Sequence, residues 1–454
     1  MSNRRDFVKT SAIAAAGIAG LGTMPGAYGM FSKKVSPSDM IRVALIGGRN
    51  MGWSNLETFL KFPQVQCISI CDIDDEWLYK RASDVEKIAG KKPQQQVKDW
   101  RKVMDNREVD AVIVATPDHW HCLQAIAAME AGKDVYCEKP LANSIAECNA
   151  MVNAARKQNR VVQTGQWQRS DPHWQDAVAF IHSGKLGRIR TVKVWAYMIW
   201  KKTLPVQPDG PVPPGVDYEM WLGPAKHRPF NPNRFHYNFR YFWDYAGGLM
   251  SDWGVHLLDY AMLGMKADLP KEIYTAGGKF AYPTDAMETP DTLLVSYVYD
   301  DFTISWDHAC GVKDGPYGRE HGLAFIGENG TLVLDRNGWE VIPEVDSVPR
   351  MEAVPVQKKS ETVEGQAVAG GGLASHVANF LDCMKTRNLP NADVAIGAKV
   401  ATMTHLANVS CRLGKPLAWD NAAGRFRQEE ANALIKPYYD ASWKFPEYLS
   451  LIHI

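Results

Sequence analysis

An α/β Rossmann domain followed by an α+β domain with a mostly antiparallel open sheet is the fold class this sequence predicts. Three observations carry it. The stretch Ile41 to Gly52 reads as a buried strand running into a glycine-bearing turn, with a helix-compatible segment behind it. Between Ile41 and Gly165, short apolar runs alternate with helical segments, the pattern of a parallel sheet covered on both faces. After Gly165 the strands lengthen and crowd together, and Glu328-Asn-Gly330 and Arg336-Asn-Gly338 supply hairpin chemistry. The organisation expected is a leader over residues 1–30, a dinucleotide-binding domain over 40–165 and a substrate-binding and oligomerisation domain over 166–454.

Composition bounds the function. A chain of 454 residues has room for two or three domains, and 46% apolar with 22% charged residues is ordinary for a globular protein. Acidic and basic residues balance at 51 each, so no global field draws the chain to nucleic acid or anionic membranes. Fifteen Trp and seventeen Tyr, beyond those the core takes, leave flat faces on which sugar rings stack. The eight cysteines form no C-x-x-C pair and no zinc spacing, so no metal centre is expected.

Asn3-Arg-Arg-Asp-Phe-Val-Lys9 precedes a small apolar run, Ser11 to Leu21, and then Ala27-Tyr28-Gly29. Paired arginines, the following Phe and Lys, and small residues at a cleavage spacing resemble a twin-arginine export signal. A periplasmic or otherwise exported protein is the expectation. The run is too short and too rich in Gly and Ala for a stable membrane span. The twin-arginine route carries folded proteins, which suits a protein that acquires a cytosolic cofactor before it leaves.

Strands are expected over 41–46, 65–71, 110–115, 133–137 and 160–164. Helices are expected over 54–61, 75–89, 99–105, 119–131 and 144–158, the last opened by a Ser144-Ile-Ala-Glu147 capping box. The turn holds Gly47, Gly48, Arg49, Asn50, Met51 and Gly52, whose backbone N–H groups can approach a phosphate at the positive end of the helix. Asp72 closes the second strand, where an acidic residue would hold ribose hydroxyls and oppose a 2′-phosphate. Trp53-Ser54, in place of Lys-Ser, excludes a nucleoside-triphosphate loop of the usual kind. Two more strand ends should open on the same crevice. At Thr116-Pro117-Asp118-His119-Trp120-His121, the histidines could touch ligand, or Asp118 could simply cap a helix. At Cys137-Glu138-Lys139-Pro140, Lys139 is either placed to bond a substrate oxygen or is a solvated lysine.

Beyond Gly165, strands are expected over 188–200, 271–282, 291–308, 321–327 and 331–335, with a Pro-rich loop at 204–216. Helices are expected over 248–264, 370–386 and 393–413, and residues 339–370 look irregular. In Gly247-Gly248-Leu-Met-Ser-Asp252-Trp-Gly-Val-His256-Leu-Leu-Asp259, helical spacing puts residues 252, 256 and 259 on one face. An Asp one turn before a His can orient the imidazole as a general base; a capped helix with a satisfied His is the plain alternative. Trp167, Arg169, His173, Trp195, Tyr197, Trp200, Arg234, His236, Tyr237, Arg240 and Trp243 mix aromatic faces with forked donors, which suits polyhydroxylated ligands, with some of them expected in the core or a dimer interface.

Taken together, the glycine turn, Thr116-Pro117, Glu138-Lys139-Pro140 and Gly247-Gly248 with Asp252-x-x-x-His256 resemble the Gfo/Idh/MocA oxidoreductases over about residues 40–420. The resemblance implies catalytic roles for Lys139, Asp252 and His256. Cofactor contacts would come from Gly47, Gly48, Arg49, Asn50, Met51, Gly52, Asp72, Thr116, Pro117, His121, Glu138 and Lys139. Substrate contacts would come from Trp167, Arg169, Arg240, Trp243, Asp252 and His256. NAD rather than NADP, a sugar or glycoside substrate, hydride transfer with a retained cofactor and a homo-oligomer follow as expectations. An NAD-dependent glycosidase of the same family is the alternative, and a non-catalytic sugar sensor a third. The family's middle turn glycine is Arg49 here, so Gly48 would supply the close approach and Arg49 would pair with a phosphate.

Overall fold

A computed structural model describes residues 36–358 and 371–448; the expected export signal lies outside the described residues. Contacts divide the chain into a segment ending at Asp39 and one compact unit from Met40 onward.

The first sheet is built from β1 (Ile41–Ile46), β2 (Val65–Cys71), β3 (Gln95–Val97), β4 (Ala111–Val114), β5 (Asp134–Cys137) and β6 (Val162–Thr164). Its order is β3-β2-β1-β4-β5-β6, and every pair is parallel. Burial on both faces is why β1, β2 and β4 read as continuous apolar runs. Helices α1 (Asn50–Phe59), α2 (Asp75–Ala89), α3 (Arg101–Asp105), α4 (Asp118–Glu130) and α5 (Ile145–Lys157) make the connections. The Ser144 hydroxyl caps the helix by accepting from the Glu147 N–H, the first half of a capping box, and also donates to the Glu147 carboxylate. Strand β3 was not expected: Gln-Gln-Val is a polar edge with no apolar run to announce it.

After α6 (Pro172–His182) comes the second sheet. It holds β7 (Thr191–Met198), β8 (Glu272–Gly278), β9 (Thr292–Val298), β10 (Thr303–Cys310), β11 (His321–Ile326), β12 (Gly330–Asp335), β13 (Gly338–Pro343), β14 (Val354–Lys358), β15 (Leu417–Asp420) and β16 (Arg425–Phe426). Its order is β14-β13-β12-β11-β7-β10-β9-β8-β15-β16, antiparallel except at β7–β10. Both expected hairpin turns join neighbours, β11 to β12 and β12 to β13. The single strand expected over 291–308 is two, folded at Tyr299–Phe302 by a turn that contains no glycine or proline. Part of the stretch expected to be irregular is β13 and β14.

The short α7 (Tyr218–Leu222) precedes the expected helix over 248–264, which is broken. It forms α8 (Gly248–Asp252) and α9 (Gly254–Met265), parted at Trp253. The Trp253 N–H still reaches Leu249, but the His256 N–H bonds the Trp253 carbonyl only three residues back. Asp252 and His256 therefore do not share one continuous helical face. Helix α10 (Gly371–Thr386) returns to the first sheet, where Val377 and Phe380 pack with Phe59 and Tyr136. Helix α11 (Val394–Leu413), opened by an Asp393 cap, packs on both α5 and β8 and ties the halves together. A short α12 (Glu429–Asn432) follows β16. No described helix is long and apolar enough to cross a membrane.

Candidate active site

Strand order reverses between β1 and β4, and the carboxyl ends of such strands open a crevice. Gly47 has φ +90°, and a Cβ there would stand 2.5 Å from the Ala115 carbonyl oxygen. One on Gly52 would stand 1.9 Å from the Gly47 oxygen. Neither position admits a side chain, so the turn is drawn tightly under the crevice. Arg49 is the N-cap of α1 but makes no side-chain cap bond, which leaves first-turn N–H groups for an anion. Arg49, Asn50, Met51 and Gly52 line the cleft. From the sequence, Gly48 is expected to supply the close approach to the phosphate; instead its N–H donates to Asp72 Oδ2 at 2.7 Å. The Asp74 N–H adds a second bond to Asp72 at 3.1 Å. Burial pushes the Asp72 carboxyl up to about 6 against these two bonds. The Arg49 guanidinium lies over Trp77, 4.7 Å from its ring centre, on the cleft wall. A cradle that a Cβ would fill, an uncapped helix start and an acid at the end of β2 together fit a dinucleotide with an unphosphorylated ribose diol.

The other strand ends supply the far wall. Thr116, Pro117, Glu138 and Lys139 line it as expected. The Glu138 carboxylate accepts from Asn55 Nδ2 at 2.8 Å and from the Lys139 N–H at 3.2 Å, and a Cβ at Gly165 would stand 2.8 Å from it and displace it. His121 does not reach the cleft. Its ring nitrogens lie 2.8 Å from the Pro140 oxygen and 2.9 Å from the Thr116 oxygen, so it braces the two motifs from behind. His119 is likewise buried, against Trp221 and Tyr245. Asp118 is the residue the sequence concealed. Pro117 rather than Asp118 occupies the N-cap position; Asp118 is buried and lines the cleft. Burial first, then the charge of Asp252, raise its carboxyl to about 8 against the pull of Lys139 and Arg240.

Lys139 Nζ donates to Asp252 Oδ1 at 2.6 Å and to the Asp252 carbonyl at 3.0 Å. Arg240 Nε stands 3.3 Å from Asp252 Oδ2, its guanidinium 4.1 Å from the Tyr237 ring centre. Burial raises the Asp252 carboxyl, but Lys139 and Arg240 outweigh it and hold the group well below the usual carboxylate range. Asp252 is thus committed to two cations, not to the imidazole of His256. His256 is 8% exposed, and its Nδ1 has no hydrogen-bond partner among the described residues. Burial, then the nearby Lys139 and Arg336, keep it neutral.

Three of the expected substrate contacts, Arg169, Trp243 and Trp167, do not line the dinucleotide cleft. Arg169 is spent on a two-pronged pair with Asp259, at 2.7–3.0 Å. Trp243 stacks under Arg412, and Trp167 lies beside Arg336. Arg240 and Asp252, by contrast, line that cleft. His236, one of the aromatic and donor residues singled out in the sequence, reaches from the second half to Asp74 at 2.8 Å and lines the cleft.

Two family models match: an oxidoreductase family with an NAD-binding Rossmann fold over residues 41–166, and the C-terminal alpha/beta domain of the same family over 152–316. The uncharacterized oxidoreductase YrbE of Bacillus subtilis is 22% identical over 301 residues, 65% of this chain and 74% of that protein. A glycosyl hydrolase family 109 protein of Shewanella baltica is 30% identical over 173 residues, 34% of this chain and 37% of the relative's own length. Among solved structures, a levoglucosan dehydrogenase in complex with NADH and levoglucosan superposes with a TM-score of 0.63 at 20% identity. That match covers 84% of this chain and 99% of the other.

Proposed function

The chain belongs to the Gfo/Idh/MocA family of NAD-binding oxidoreductases, and from that premise we propose that it moves a hydride to or from a ring or side-chain carbon of a sugar or glycoside. The observation that carries the proposal is the Lys139–Asp252 pair at the end of the dinucleotide cleft, with a neutral His256 beyond it. Bound in that cleft, NAD supplies the hydride acceptor. Asp252 fixes the Lys139 ammonium, which donates a hydrogen bond to the reacting oxygen. His256, held neutral by burial, can accept the proton that the hydroxyl gives up. Removing proton and hydride from the same carbinol leaves no free alkoxide to stabilise.

Support for a retained cofactor comes from the straps across the cleft. His236 holds Asp74, and Lys98 Nζ and the Asp75 N–H both hold the Gly215 carbonyl. Export by the twin-arginine route belongs to the same reading, because a cofactor held through turnover needs no cytosolic recycling. A homo-oligomer packed on the open face of the second sheet, where register groups the exposed Tyr274 and Leu294, completes it. Size measurement of the purified protein tests that part, and secretion of the full chain with and without Arg4-Arg5 tests the export.

One observation favours a second reading, an NAD-dependent glycosidase: the likeness to the glycosyl hydrolase family 109 protein. Product analysis separates the two. Net keto-sugar or NADH marks a dehydrogenase; released aglycone with unchanged total NAD marks a glycosidase. The primary test is mass spectrometry and absorbance on the purified protein. Recovery with no nicotinamide nucleotide, and no uptake of added NAD, overturns the proposal.

A further inference from the structure

Past His256 the site continues into a second group of side chains that the hydride chemistry leaves unexplained. Arg336 comes from the β12–β13 turn, His321 from the start of β11 and Trp253 from the α8–α9 break. Three polar atoms here are buried and lack a hydrogen-bond partner among the described residues: His256 Nδ1, His321 Nε2 and Arg336 Nε. The Arg336 guanidinium lies 4.9 Å from the Trp253 ring centre and 5.6 Å from that of Trp167. The Trp253 ring meets His321 at 5.3 Å.

Arg336 differs from the structural arginines around it. Arg169 is matched to Asp259, and Arg319 to Asp335 and Glu340. Asp335, next to Arg336 in the chain, is occupied by Arg319 and by the N–H groups of Asn337 and Gly338. Among the described residues Arg336 has no carboxylate in an ion pair, and the one hydrogen bond it makes there is to the Gln168 amide oxygen at 3.4 Å. The anion that acts on it is Asp252, already shared by Lys139 and Arg240. Three cations, Lys139, Arg240 and Arg336, thus face one ionised carboxylate around the substrate position. A partly buried charge without a partner costs free energy that a ligand can recover.

We propose that the Arg336–His321 group is a subsite for a carboxylate on the sugar, so that the substrate is a uronic acid or its glycoside rather than a neutral hexose. The inference rests on the sugar-oxidoreductase reading and names its substrate class. Trp253 and Trp167 lie beside the guanidinium, and its buried Nε is the donor left without a partner among the described residues. A planar two-oxygen acceptor matches a guanidinium edge, whereas a ring hydroxyl fills only one donor. His321 Nε2 offers a further polar contact, and Trp253 an apolar face beside it.

Calorimetry and turnover are to be measured on the cofactor-loaded protein with glucuronate against glucose, and galacturonate against galactose. The expected result is that at least one uronate binds ~10–100-fold tighter than its neutral partner, the usual worth of a hydrogen bond to a charged group. In Arg336→Gln that preference should fall toward one, and Arg336→Lys should keep part of it, since the charge stays and the fork is lost. Equal or weaker binding of both uronates overturns the proposal, as does a preference that survives in Arg336→Gln. Arg336-dependent uronate binding without oxidation or cleavage supports the subsite and overturns the oxidoreductase reading instead. Oxidation of neutral sugars alone leaves that reading standing and removes the subsite.

Discussion

Replacing Asp118 by Asn separates what the buried carboxyl does as an acid from what it does as a shape. The carboxyl titrates near 8 in the folded protein because burial and the Asp252 charge disfavour its ionised form. In the unfolded chain an Asp titrates at about 3.9. Folding therefore binds a proton across this window, and stability falls as pH rises. The contribution is full below about pH 4, is lost progressively as pH climbs to about 8, and is constant above that. Each pH unit inside the window is worth at most ~1.4 kcal/mol. Between pH 5 and 7 the ceiling is about 2.7 kcal/mol, and relaxation around Lys139 and Arg240 should reduce it to ~1–2 kcal/mol. Asn keeps the volume and carries no charge at any pH, so Asp118→Asn should lose this slope. The assay is thermal melting of both proteins from pH 4 to 9, at one protein and one NAD concentration. The melting temperatures should agree near pH 4 and diverge by a few degrees by pH 8, with the variant higher. Parallel curves would show that Asp118 is ionised throughout and would remove the argument.

Lys139→Ala and His256→Ala should each lower turnover by ~10²–10⁴-fold with cofactor still bound, read by single-turnover absorbance; near-wild-type rates would displace both from proton transfer. Gly52→Ala places a Cβ 1.9 Å from the Gly47 oxygen, so NAD binding should be lost and the melting temperature should drop, by an overpacking cost of ~1–3 kcal/mol or more. Asp72→Ser should weaken NAD by ~10-fold or more and narrow the preference over NADP, measured by titration of both nucleotides. Arg49→Gly should keep NAD binding but shorten its residence, followed by cofactor exchange; an unchanged off-rate would leave Arg49 as a partner of Trp77 alone.

The first sheet was legible because its signals are local. A buried strand, a turn that admits only glycine and a helix lie within Ile41–Phe59, and the acid follows at Asp72. The second sheet was harder. Its β9–β10 turn is Tyr-Asp-Asp-Phe, which carries no glycine or proline and only an Asp pair as a turn signal, and β14 is largely exposed, so it carries no apolar run. Asp118 was misread because a helix cap and a cleft wall call for the same residue in the same place. Only packing from Asp252, Lys139 and Arg240, all distant in sequence, tells them apart.

The Lys139–Asp252 pair sharpens this point. Each motif was legible by itself, at the end of a strand and the end of a helix, yet 113 residues separate the partners. Helical spacing suggested that Asp252 orients His256; the break at Trp253 and the claim of Lys139 and Arg240 on both Asp252 oxygens rule that out. A base so placed is not pre-oriented by a carboxylate. Its free Nδ1, like the free Nε2 of His321 and Nε of Arg336, needs a partner that the described residues do not provide. Polar groups left unmatched in one buried region call for a further partner, which the polar groups of a ligand can supply. The alignment of His256 should therefore depend on the substrate's polar groups, so trimming those groups should lower kcat as well as raise KM.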